Sequence, residues 1–135
     1  MSIYIASKTK HADRWRLLRD KIGHPIISTW IDEAGEGETS DFHDLWRRCL
    51  TEAATCKVLI AYRERDEVLK GGWVEIGAAL SHTVPVIAVG LEDFTIAHYR
   101  GITHAPTMKE AMTQAIGILK GEPVRTTRVM EGNKT

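Results

Sequence analysis

One glutamate behind two glycines carries the most chemistry in this sequence. Glu75 stands in Lys70-Gly71-Gly72-Trp73-Val74-Glu75-Ile76-Gly77-Ala78-Ala79, where an apolar helix is expected from about Trp73 to His82. Gly71 and Gly72 would let a ligand approach the backbone closely, and Gly77 would let the helix pack against its neighbours. A carboxylate in a first helical turn gains about 0.3–1 kcal/mol from the aligned peptide dipoles. Holding it protonated at neutral pH would cost about 4 kcal/mol, which nothing nearby in sequence supplies. An ionised Glu75 is therefore expected, suited to a nucleophile or to stabilising a cation. The plain alternative is an ordinary glutamate at a helix start.

A second constellation is Ser7-Lys8-Thr9-Lys10-His11, which closes one strand and opens a helix. Hydroxyls, ammonium groups and free amides converge there, a combination that attracts phosphate; a solvated polar turn is the other reading. The third is Trp30 to Asp41, a glycine-bearing stretch that with Asp44 holds six acids and no lysine or arginine. It reads as a solvated acidic loop or as a lid in which Trp30 stacks on a base. The acids do not follow the alternate-position pattern of a calcium loop. Trp15, Trp46 and Trp73 lie in expected helices and read as core or dimer-interface anchors. No histidine spacing fits a metal site, and no metal or cofactor is expected. Cys49 and Cys56 read as reduced, semi-buried thiols.

These groups need a scaffold, and strand and helix alternate along the chain. Ile3–Ala6, Pro25–Thr29, Lys57–Tyr62, Pro85–Val89 and Ile102–His104 read as five strands. Helices are expected over Ala12–Ile22, from Thr39 or Ser40 to Thr55, after Gly72, and from Pro106 to Lys120. Gly23 is expected to stop the first of them. Alternation of this kind forces parallel pairing through crossovers. The prediction is an α/β protein with a flavodoxin-like, doubly wound five-stranded parallel sheet, order 2-1-3-4-5, in three layers. Its crevice would lie at the carboxyl ends of the first and third strands. Residues 1–121 form the domain, and 122–135 read as a flexible tail.

Composition narrows the function classes. The chain has 135 residues, one domain's worth, of which 43% are hydrophobic and 27% charged, as in a soluble globular protein. Lysine plus arginine balances aspartate plus glutamate at 18 each, so no global field favours a nucleic acid polymer or a membrane surface. No stretch reaches membrane-spanning length, and the opening residues lack a charged leader before an apolar run; a cytoplasmic location is expected.

Ile3-Tyr4-Ile5-Ala6-Ser7, then Lys57-Val58-Leu59-Ile60-Ala61-Tyr62, then Gly71 to Gly90 resemble the nucleoside 2-deoxyribosyltransferase superfamily, including its deoxynucleoside 5'-phosphate N-hydrolase-like members. The likeness runs over residues 3–120, and Gly71-x-x-x-Glu75-x-Gly77 is its most specific part. The resemblance implies cleavage or transfer at an N-glycosidic bond of a nucleoside or its 5'-monophosphate. Glu75 would be the nucleophile, Tyr4 its orienting partner, and Ser7, Lys8, Thr9 and Lys10 the phosphate contacts. It also implies a homodimer or larger assembly whose subunits complete one another's pockets. Two family aspartates fall at Cys49 and Leu69 here; Asp44, Glu52, Asp66 and Glu67 are the acids that could substitute. Their loss leaves open a rival reading, a non-catalytic protein that binds a nucleotide or nucleotide-derived signal.

Overall fold

The computed structural model of the protein describes residues 2–34 and 40–122. Four parallel strands form one sheet: β1 (Ile3–Ala6), β2 (Val58–Tyr62), β3 (Val86–Val89) and β4 (Ile102–His104), in the order β1-β2-β3-β4. Ile3 lies opposite Val58, Leu59 opposite Val86, and Val86 opposite Ile102. Every residue of all four strands is buried. Unbroken apolar runs of this kind are what a parallel sheet covered on both faces requires.

The helices are α1 (Ala12–Leu17), α2 (Phe42–Thr55), α3 (Gly71–Ser81) and α4 (Met108–Leu119). A π-helical turn, Leu18–Ile22, extends α1 and ends at Gly23, whose φ of 90° suits glycine. Asp41 caps α2 by accepting from the Asp44 amide, and Thr107 caps α4 by accepting from the Glu110 amide. Trp15 of α1 meets the Tyr62 ring edge-on, at 5.1 Å between centroids, and a cavity of about 800 Å³ lies between α1 and α4. These two helices therefore share one face of the sheet, while α2 and α3 pack together on the other.

The second of the five expected strands is not a full ladder. Pro25–Thr29 touches the sheet through a single parallel bridge, Ile26 to Ile3, on the open side of β1. Pro25 has no N–H to give. The next rung is taken by a side chain, with the Ile5 amide donating to Ser28 Oγ at 2.7 Å. The segment occupies the expected position without completing a strand.

At the end of β3, Gly90 has a φ of 83°, and a Cβ there would collide with the Arg63 carbonyl oxygen. Close passage of these two loops depends on glycine. No helix among the described residues is long and apolar enough to cross a membrane. The expected tail, apart from Glu122, and residues 35–39 of the acidic loop lie outside the described residues.

Candidate functional site

Side chains alternate along a strand, so Ile3 and Ile5 face the α1 side and Tyr4 faces α2 and α3. The Tyr4 hydroxyl donates to Glu75 Oε2, joining the first strand to the third helix. Cys49 of α2 interacts with both groups. Tyr4, Cys49 and Glu75 are all buried, with Glu75 only 7% exposed.

Burial corrects the expectation of a plainly ionised Glu75. Its pKa is pushed up to about 7, chiefly by desolvation; the Tyr4 hydroxyl and Cys49 pull it down, and the charge of Glu52 pushes it up. The helix start offers little relief. α3 begins at Gly71, two residues before the expected Trp73, which leaves Glu75 beyond the first turn where the dipole is felt. Burial and the neighbouring carboxylate raise the Tyr4 phenol far above its ordinary value, so it stays a neutral donor. Burial also pushes the Cys49 thiol up to about 11.

The glycines serve in different ways from those expected. A Cβ at Gly71 would stand 2.8 Å from Cη2 of Trp46, and one at Gly72 would stand 3.5 Å from Leu69. Both positions admit protein side chains close to the backbone. A Cβ at Gly77 would meet nothing within 4 Å, so helix packing does not require that glycine.

Among the candidate substitutes for the family aspartates, Glu52 acts electrostatically on both Glu75 and Cys49. Its carboxylate accepts from the Thr29 amide and hydroxyl. Asp44 pairs with Arg47 and Arg48. Asp66 is exposed, at a φ of 68°, and Glu67 is committed elsewhere. Leu69 is buried in the core.

The Ser7–His11 segment meets the loop after β2, as the crevice rule requires, but its polar groups are already engaged. Ser7 Oγ accepts from the Trp15 indole N–H at 2.8 Å and donates to the Lys8 carbonyl. Lys8 Nζ donates to the Val68 carbonyl at 3.1 Å, and Lys10 Nζ lies 3.2 Å from Glu67. Thr9 is exposed and starts a short 3₁₀ turn. His11 Nε2 lies 2.8 Å from Glu67 Oε2. Burial raises the Glu67 pKa, yet the Glu64 amide, His11 and Lys10 outweigh it and hold the group below its ordinary value. His11, Glu64 and Glu67 are the group that could offer ligand atoms to a metal; Lys10 and Arg14 already pair with its carboxylates.

The acidic segment is largely neutralised where it is described. Asp32 makes two hydrogen bonds to Arg19, at 2.8 and 2.9 Å, and Glu33 pairs with Arg48 at 2.6 Å. Trp30 is buried in the core, and its indole N–H donates to the Ile5 carbonyl at 2.9 Å. Its ring packs inside the domain rather than standing free in the loop. Neither the α1–α4 cavity nor a smaller one of about 320 Å³ beside Trp73 and Phe94 is lined by Glu75.

Two contacts escaped sequence reasoning: Cys49 on the Tyr4–Glu75 pair, and Trp46 on Gly71. Their i, i+3 spacing on one helix face was the available signal.

No protein-family model matches the chain, and no curated protein matches it. Among solved structures it is similar to the CMP N-glycosidase BcmB of Clostridium botulinum. The likeness has 14% identity and a TM-score of 0.54, and covers 86% of this chain and 99% of that one. At this identity the likeness is one of fold: a parallel α/β domain of the architecture on which that enzyme is built.

Proposed function

We propose that the protein cleaves or transfers the N-glycosidic bond of a nucleoside or nucleoside 5'-monophosphate, with Glu75 as nucleophile. The observation that carries this reading is the buried Tyr4–Glu75 hydrogen bond, formed between the two segments that the superfamily resemblance singles out. The similarity in fold to a CMP N-glycosidase supports it. An ionised Glu75 oxygen attacks the anomeric carbon, and the electron pair of the carbon–nitrogen bond leaves with the base, which takes up a proton. The transition state has oxocarbenium character, so the carboxylate's charge lowers its energy. Water or a second base then attacks the glycosyl ester and restores the carboxylate. Tyr4 is a positioning residue: its hydroxyl holds the attacking carboxylate and favours the charged form. Lys8 and Lys10, with Ser7 and Thr9, would meet a 5'-phosphate at the end of β1, which would draw Lys10 away from Glu67. A homodimer or larger assembly belongs to the same reading.

The rival is a binding protein without turnover. It is favoured by Cys49 and Leu69, which put a neutral thiol and an apolar side chain at the places of the family's acids. Incubation with nucleosides and their 5'-monophosphates, followed by chromatography for free base, separates the two. Base release that disappears in Glu75→Ala supports the enzyme. Tight nucleotide binding without release, unaffected by that substitution, makes the protein a binder.

A further inference from the structure

We infer that Trp46 is the surface on which the substrate's planar base stacks. This rests on the glycosidic-bond reading and adds to it the residue that recognises the leaving group. Trp46 precedes Cys49 by three residues, so the two share a face of α2. That face meets α3 at the Tyr4–Glu75 pair, because Cys49 interacts with both members of it. One helical turn before Glu75, the six-membered ring of Trp46 lies against Gly71. α3 starts from the loop after β2, so Gly71 lies nearer the carboxyl ends of the strands than Glu75 does. Trp46 therefore forms the outer wall of a site whose floor is Glu75.

The other tryptophans are occupied. Trp15 and Trp30 are buried with their indole N–H groups bonded, and Trp73 packs edge-on against Phe94 at 5.1 Å between centroids. Trp46 remains 39% exposed and has no ring partner among the described residues. Gly71 is what permits the position, since any Cβ there would push the ring away. An open indole one turn above a buried carboxylate suits a ligand with a flat ring attached to the carbon that the carboxylate attacks. Stacking of this kind tolerates any base, because every base offers a π-face.

The test uses Glu75→Gln as background, so that bound nucleotide is not consumed, and calorimetry of the four deoxynucleoside 5'-monophosphates and of deoxyribose 5-phosphate. Trp46→Leu is expected to weaken the nucleotides about tenfold or more and to leave the base-free sugar phosphate unchanged. Trp46→Phe, which keeps an aromatic face, is expected to restore most of the nucleotide affinity. In the otherwise native enzyme, Trp46→Leu should raise KM more than it lowers kcat. Equal weakening of both ligands, unchanged nucleotide affinity, or a changed oligomeric state with no preference for base-bearing ligands overturns the inference. Normal base release by Trp46→Leu alongside its loss in Glu75→Ala removes the stacking role and keeps the glycosidic reading. Failure of the native protein to bind any of these nucleotides removes both.

Discussion

The Tyr4 hydroxyl donates to the Glu75 carboxylate across 71 positions of sequence, inside the layer where α2, α3 and the sheet meet. This one bond ties the first strand to the helix after the second strand. It also sets the protonation state of the carboxylate on which the proposed chemistry depends.

Activity should switch on with rising pH later than it does for an ordinary carboxylate. A nucleophilic Glu75 must be ionised, and burial pushes its pKa up to about 7. Base release should therefore rise as the pH increases through about 7, rather than through the usual carboxylate range. A kcat/KM profile from pH 4 to 9 checks this. An acid limb near pH 4 would show that the free enzyme's nucleophile is not the buried carboxylate described here.

Removing the phenol should move that limb. The Tyr4 hydroxyl favours the charged form of Glu75, so Tyr4→Phe raises the carboxylate's pKa further and displaces the acid limb to more alkaline pH. At pH 7 the rate should fall about tenfold or more, with partial recovery at pH 9. A loss of rate equal at every pH would mean that Tyr4 does not act through Glu75.

Stability carries the same signature. The folded-state pKa of Glu75 lies above its unfolded value, so its relative contribution to stability is full below about pH 4.5 and is lost as pH rises through about 7. Glu75→Gln keeps an acceptor for Tyr4 without the charge. It should be more stable than the native protein at pH 8, by up to about 3 kcal/mol, with the difference shrinking toward pH 5. Urea unfolding at the two pH values is the measurement.

The thiols should be slow. Burial pushes both Cys49 and Cys56 up to about 11, so little thiolate exists at neutral pH. A disulfide exchange reagent at pH 7.5 should react with neither rapidly in the native protein and with both after unfolding in urea. Immediate reaction of one thiol would place it at the surface.

Gly90 is the position where a single methyl group should do most harm. Its φ of 83° and the Arg63 carbonyl oxygen, which occupies the space a Cβ would need, leave no room for alanine. Gly90→Ala should cost more than about 2 kcal/mol by urea unfolding, whereas Gly77→Ala, with open space around it, should cost little or add stability.

The parallel α/β class was legible in the amino-acid sequence because its signals are local. Val58–Tyr62 and Val86–Val89 are continuous apolar runs, and the periodic helices between them leave parallel pairing as the simple solution. Glu75 stood out by its glycines, and Tyr4 entered through a family resemblance. Tertiary structure decided the rest. Whether Pro25–Thr29 completes a strand depended on Ser28 Oγ taking the Ile5 amide. Which tryptophan stays open depended on packing, which buried Trp30 and left Trp46 39% exposed. The charge state of Glu75 depended on desolvation by α2 and β1, elements distant in sequence from the helix that carries it. Burial sums over neighbours from the whole chain, so no local pattern of residues can state it.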